Sequence, residues 1–230
     1  MDKKILKSAF ADSLPVLAGY ISLGIGFGVL LSDAGFGTLW SALMGGIIYA
    51  GSMQYVAVDL LKLAVSLTEV ALLTVIIQFR HFFYGISMLE KYSDMGRAKP
   101  YLIFSLTDET FSLVCRDLPY GKDEFKKYSL YLSTLNHCYW VTGCTVGGLI
   151  GSVLPFDSTG IDFAMTALFI VIFTSQWQST KKHLPAVTGV VASVISLLIF
   201  GADGFIIPSM VLIVVMLLLM RPVIEKGGEA

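Results

Sequence analysis

Long apolar runs near 14–32, 38–61, 67–89, 128–154, 161–178, 184–202 and 206–220 dominate this chain and keep most of its charges at their ends. Crossing a hydrocarbon core of roughly 30 Å takes about 20 helical residues, and several runs reach that length. They are too continuous for barrel strands, in which lipid-facing and lumen-facing residues alternate. Apolar residues make up 55% of the chain and charged residues only 14%, whereas a soluble domain carries about 25% charged residues. The expected fold is an all-α integral membrane protein. It is a polytopic helical bundle of about seven to eight hydrophobic segments, forming one transmembrane domain over residues 1–230.

The eighth segment, 101–118 (YLIFSLTDETFSLVCRDL), is short and polar in its middle. Charge placement bears on whether it crosses, because cytoplasmic loops are rich in Lys and Arg. With the N-terminus inside and eight crossings, the inner side receives Lys3, Lys4, Lys7, Lys62, Arg116, Lys122, Lys126, Lys127, Lys181, Lys182, Arg221 and Lys226. The outer side receives Lys91, Arg97 and Lys99. Leaving out 101–118 as a crossing reverses everything after it. Eight crossings with both termini cytoplasmic are therefore expected, with a re-entrant 101–118 as the alternative. The stretch MDKKILKSAF reads as the start of an uncleaved first helix rather than a secretory signal, given the many later spans.

The functional candidates are polar residues placed in lipid. Arg80, in VIIQFRHFFYG, lies near the centre of the 67–89 run, where an ionised side chain costs roughly 2.5–3.5 kcal/mol on insertion scales. Its guanidinium has five donors and stays protonated, so it needs acceptors. Asp108 and Glu109, flanked by Thr107 and Thr110, are the nearest candidates in kind. Either they form a bridge with Arg80 that fixes helix register, or Arg80 faces a wet cavity and takes an anionic group. Tyr84 falls one turn from Arg80 on an ideal helix, and His81 shares a face with Tyr84. His81 can change protonation near neutral pH. Gly51 and Ser52 in YAGSMQY allow a local helix break, with Gln54 and Tyr55 able to hydrogen-bond a polar ligand. His137 and Asn136 are polar residues to which the sequence ties no role.

Gly24 and Gly28 in one run, and Gly143, Gly147 and Gly151 in another, suit close helix approach. The segments that contain them share an outline, predicting repeat units at 14–61 and 131–178; Gln176 is then the second-unit counterpart of Gln54. Two such units run parallel with eight crossings, and inverted if 101–118 does not cross. Cys115, Cys138 and Cys144 have no metal-ligand spacing, and no nucleotide loop or nucleophile–base arrangement is visible. No cofactor, metal, nucleic-acid partner or enzymatic activity is expected.

An ordered set of motifs adds to this reading: FGVLLSDAGF, YAGSMQY, QFRHFFYG, SLTDETFSL, GIDFAMTALFIV and SQWQS. Together they resemble the AzlC-type large subunit of branched-chain amino acid exporters, also called the LIV-E family. Departures are Gln78 and Phe79 before the Arg-His pair, where Asn-Leu is usual, and no acidic residue before Gln176. The resemblance implies a bacterial inner-membrane secondary exporter of leucine, isoleucine, valine or similar amino acids. It also implies a small AzlD-type membrane subunit as partner. Substrate contacts are then expected from Gly51, Ser52, Gln54, Tyr55, Arg80 and Tyr84. Proton coupling or an ion pair falls to His81, Asp108 and Glu109. A passive channel is the rival, distinguished by a lack of saturation and counterflow.

Overall fold

The computed structural model describes residues 2–63, 65–116, 118–153, 163, 166, 167, 170, 173, 174, 177, 178 and 183–226. Its regular structure is helical throughout the described residues. The chain divides into two compact units, Met1–Met165 and Thr166–Ala230. Helices over Lys3–Asp33, Leu67–Met88 and Leu184–Gly201 are long and apolar enough to cross a membrane.

In the first unit, α1 (Asp2–Asp33) and α7 (Lys122–Val153) are equally long and lie side by side. Their residues meet in ascending order: Ser8 with Tyr120, Asp12 with Tyr128, Gly24 with Gly143, Gly28 with Gly147 and Ser32 with Gly151. The two helices therefore run parallel. Glycine makes this contact so close that a methyl group on Gly24 would sit 2.8 Å from the backbone nitrogen of Cys144. One on Gly28 would collide with the Cys144 carbonyl and the Gly148 nitrogen. In lipid, where burial of apolar surface gives no drive to association, such backbone-to-backbone van der Waals packing takes its place.

The segment 38–61, expected as a span that Gly51 and Ser52 allow to break locally, is broken just before them, at Tyr49, and turns back. Helix α2 (Thr38–Leu43) passes into a π-helical turn, Met44–Ile48, and stops at Tyr49, whose φ of 46° is left-handed. Helix α3 (Gly51–Leu63) then sets off in the opposite direction. Along α7, the first arm descends: Ser41 Oγ donates to the Cys144 carbonyl (2.7 Å), Gly45 lies on Val141 and Cys144, and Gly46 O bonds His137 Nε2 (3.1 Å). The second arm climbs again: Gly51 lies against Trp140, Tyr55 OH donates to the Leu23 carbonyl (2.6 Å), and Lys62 comes within 3.8 Å of Asp33. The segment enters to mid-height and returns to the end it came from. Its reversal follows from the left-handed residue, which ends a helix.

Helix α4 (Leu67–Met88) starts from a complete capping box between Ser66 and Glu69 and runs antiparallel to α3. Thr74 meets Met53, Arg80 meets Ser52, and the Lys91 ammonium beyond the helix donates to the carbonyls of Cys115 and Arg116 at 2.7 and 2.9 Å. The segment 101–118 also reverses. Helix α5 (Lys99–Phe104) climbs until Phe104 packs near Tyr49 and His137. The chain turns at Ser105–Thr107, and α6 (Asp108–Val114) descends until its end meets Lys91. Thr107 caps the second arm by accepting from the Thr110 backbone N–H at 3.3 Å.

Thus both doubtful stretches are helical hairpins, entering from opposite ends and meeting at their tips, where Tyr49 and Phe104 rings lie 6.0 Å apart. In both hairpins the second arm starts just past the tip, α3 at Gly51 and α6 at Asp108. Because two expected crossings are removed together, α1 and α7 remain parallel, as eight crossings also require. The charge sorting improves. Lys122 pairs with Asp94 at 2.6 Å, and Tyr120 bonds Ser8, so Lys91, Arg97 and Lys99 share an end with Lys3, Lys4, Lys7, Arg116, Lys122, Lys126 and Lys127. Lys62 lies at the opposite end with Asp33. Of the expected unit 131–178, α7 is described as far as Val153, and most of the stretch from there to residue 178, including Gln176, lies outside the described residues.

In the second unit, α8 (Leu184–Gly204) and α9 (Ile206–Lys226) form an antiparallel pair, with Thr188 Oγ1 3.7 Å from Met220 Sδ. A left-handed Gly201 (φ 72°) interrupts α8.

The α1–α7 contact makes a direct prediction. Gly28→Ala is expected to destabilise the protein by roughly 1–3 kcal/mol, the range for overpacking. Gly19→Ala, whose added methyl meets nothing within 4 Å, is expected to be neutral or slightly stabilising. Thermal unfolding of the two variants in one detergent checks both.

Candidate functional site

The hairpin tips bring together residues that are far apart in sequence. Arg80, projecting from α4, touches both hairpins. Its Nη2 donates to Ser52 Oγ at 2.9 Å, in the first turn of α3, and its Nη1 lies 2.8 Å from Asp108 Oδ2, at the start of α6. The side chains are 32% and 17% exposed, so the pair is screened from surroundings without being sealed. A guanidinium suits this position because its planar fork serves two acceptors at once. Tyr84, one turn along α4, stacks on Phe111 of α6 with ring centroids 4.4 Å apart. His81 meets the Tyr84 ring edge-on at 5.6 Å, and its Nδ1 is buried with no hydrogen-bond partner.

A second polar cluster sits beside the first. Glu109 Oε2 accepts from Tyr20 OH of α1 at 2.7 Å, and the same hydroxyl lies 2.6 Å from Thr107 Oγ1. Thr107 contacts Thr110 Oγ1 at 3.1 Å, which in turn accepts from Asn136 Nδ2 of α7 at 3.0 Å. Asn136 is fully buried and its Oδ1 is left without a partner. The line therefore runs from α1 through α6 to α7 and ends in a spare acceptor. Buried polar atoms are normally satisfied, so such an atom marks a place where a ligand, ion or water fits.

At the first tip, Gln54 Oε1 accepts from Trp140 Nε1 (2.9 Å) and from the Ala50 backbone N–H (3.1 Å), and its side chain also lies against the buried Cys144 thiol. Tyr49, also buried, packs against His137 with ring centroids 4.3 Å apart and planes tilted by 40°. His137 bonds Gly46 O and lies 3.3 Å from Tyr101 OH, so it ties α7 to both hairpins. Among the described residues, no group of three or more His, Cys, Asp or Glu side chains is placed to hold a metal.

A family model described as AzlC protein matches residues 15–154, which contain both hairpins and α7 up to its last turn. The chain belongs to the AzlC family. It is 43% identical over 222 residues to the branched-chain amino acid transport protein AzlC of Bacillus subtilis, covering 96% of this chain and 87% of that relative. An uncharacterized membrane protein of Haemophilus influenzae is 42% identical, covering 89% of this chain and 84% of its own length. The inner membrane protein YgaZ of Escherichia coli is 28% identical over 87% of this chain and 84% of YgaZ. No solved structure matches the chain.

In this AzlC-family chain, the residues singled out from sequence divide into three groups. Ser52, Arg80, Tyr84 and Asp108 converge, with His81 beside them. Glu109 is close by but belongs to the Tyr20 cluster. Gly51, Gln54 and Tyr55 are engaged in holding the fold: a methyl on Gly51 would lie 3.1 Å from the Trp140 ring, Gln54 is bonded to Trp140, and Tyr55 to the α1 backbone. Sequence reasoning misses Tyr20, Tyr49 and Trp140, because aromatic residues in an apolar run carry no signal of their own until the breaks bring them together.

The Arg80–Asp108 pair should behave as a unit. Removing either partner leaves a charge facing the tips; for partly exposed groups the cost is roughly 1–3 kcal/mol, below the 3–5 of a fully buried pair. Arg80→Ala and Asp108→Ala are each expected to lose stability, and the double variant to lose less than the sum. Unfolding midpoints for the four proteins give the coupling directly.

Proposed function

We propose that this chain is the large subunit of a bacterial inner-membrane secondary transporter that exports branched-chain or similar apolar amino acids, driven by protons and acting with a small AzlD-type membrane subunit. The observation that carries the reading is the position of Arg80 between Ser52 of one hairpin and Asp108 of the other. The name of the Bacillus subtilis relative supports the substrate class.

In this reading α1, α4 and α7 cross the bilayer and the two hairpins enter it from opposite faces, with the Lys- and Arg-rich end cytoplasmic. Backbone breaks at mid-membrane are tolerated where they are buried in protein or line a cavity. A zwitterionic substrate needs donors for its carboxylate, an acceptor for its ammonium and an apolar surface for its side chain. Arg80 and Ser52 supply the donors, and the first turn of α3 adds free backbone N–H groups and the positive end of its dipole. Asp108 accepts the ammonium. The stacked Tyr84 and Phe111 rings line the side chain.

Substrate entry then exchanges partners: the amino acid carboxylate competes with Asp108 for Arg80, and its ammonium compensates Asp108. The bridge between the tips is loosened when substrate is present and restored when it leaves. A charge bridge that closes the centre supports an alternating carrier over an open pore.

The test is efflux of preloaded labelled leucine and valine from cells that express the chain with and without its small partner. Saturable efflux that requires the partner and is lost in a folded Arg80→Ala complex is the expected result. An assembled complex that exports neither amino acid, or an Arg80→Ala complex that exports normally, contradicts the reading.

A further inference from the structure

Three side chains at the tips can carry a proton, and the geometry separates them. Asp108 is held by Arg80 at 2.8 Å, so protonating it breaks the bridge between hairpins and leaves the guanidinium without its counter-charge. His81 lies on α4 directly after Arg80, edge-on to the Tyr84 ring, with its buried Nδ1 lacking a hydrogen-bond partner among the described residues, so an imidazolium there would be desolvated with one N–H unsatisfied. Glu109 differs from both. Among the described residues its side chain accepts from the Tyr20 hydroxyl and makes no ion pair. The residue is half-buried and its carboxyl group is enclosed by Tyr20 and Thr107, so a proton reaches it when the tips admit water.

The first hairpin supplies an independent comparison. Gln54, the fourth residue of α3, holds a permanently neutral amide in the first turn of its arm, as Glu109, the second residue of α6, holds a carboxyl in the first turn of the other. Gln54 meets an aromatic donor of α7, Trp140, at 2.9 Å, and Glu109 meets an aromatic donor of α1, Tyr20, at 2.7 Å. A neutral side chain of the same shape is therefore accommodated in one hairpin, while the other carries its titratable form.

We infer that Glu109 is the residue that takes up and releases the coupling proton, while Asp108 stays paired with Arg80 or with the substrate ammonium. This rests on the proton-coupled reading above. When Glu109 is charged, Tyr20 donates to it. When Glu109 takes a proton from water, the carboxylic acid becomes a donor, and the Tyr20 hydroxyl turns to donate to Thr107 Oγ1, already 2.6 Å away. Thr107 donates to Thr110 Oγ1, which also accepts from Asn136 Nδ2, so the change in hydrogen bonding is carried from α1 through α6 to the α7 side chain. The proton returns to water on the other side as the hairpins exchange access. The titratable and charged groups around Glu109 are Tyr20 of α1, Tyr49 at the first tip, Arg80, His81 and Tyr84 of α4, Asp108 beside it, and His137 of α7 behind Tyr49. Arg80 is balanced by Asp108, so Glu109 carries the exchangeable charge.

The complete two-subunit complex in leucine-loaded liposomes tests this, with two readouts: net leucine movement driven by a pH gradient, and exchange of labelled for unlabelled leucine without a gradient. In Glu109→Gln, net movement is expected to fall on the order of 10²-fold, as when a proton-transfer group is removed, with exchange close to wild type. Glu109→Asp, which keeps a carboxyl, is expected to retain gradient-driven movement. If Glu109→Gln remains gradient-driven, or a folded Glu109→Gln complex loses exchange as well, the inference is overturned and the proton-coupled reading stands. If the wild-type complex ignores the gradient, proton coupling itself is wrong and the inference falls with it.

Discussion

A guanidinium at the centre of an apolar structure is stable only if acceptors are brought to it, and the middle of this molecule is arranged around that requirement. Arg80 comes from a continuous helix, and its acceptors come from two helices that stop halfway. Had 38–61 and 101–118 run straight through, Ser52 and Asp108 would each sit in a helix interior. The breaks put both in first turns, where backbone N–H groups lack helical partners. One interaction thus connects the charge in α4, the breaks in both hairpins and the polar surface that the tips enclose.

The hairpins need a frame. The parallel α1–α7 pair provides it, and glycine at the contact lets the two backbones approach until no Cβ fits between them. Hairpin arms then pack along α7 through Ser41, Gly45, Gly148 and Trp140, and against α1 through Tyr20 and Tyr55. Each tip is fixed to this frame by an aromatic donor, Trp140 for the first and Tyr20 for the second. The frame is continuous and the tips are not, a division suited to a centre that opens toward alternate sides.

Much of this is legible from the residues alone. Composition announces the membrane, and the insertion cost of Arg80 points to Asp108 or Glu109 without any geometry; only the fold separates the two. The glycine series marks the helix contact, and SLTDETFSL betrays a segment too polar to be a simple span. A break near YAGSMQY is legible from Gly51 and Ser52, but the full reversal of 38–61 is not, because nothing in the sequence announces that Tyr49 adopts a left-handed backbone. The two hairpins together leave the parity of crossings between α1 and α7 unchanged, so their parallel arrangement is the one that eight crossings also give. The clue lies in the charges: eight crossings strand Lys91, Arg97 and Lys99 on the poorer side, and the hairpins return them to the richer one. Glu109 and Tyr20 become partners only once the second tip is folded back.

The central claim, that both segments double back, is tested most directly by sidedness. In a cysteine-free background, single cysteines at Lys62 and Asp94 would be probed in intact cells with a membrane-impermeant maleimide, with cysteines at Lys7 and Lys122 as references. The hairpins predict that the Asp94 position shares the protection of both references and that Lys62 reacts from outside. Reaction at Asp94 with protection at Lys62 would mean that both segments cross, and would contradict the account.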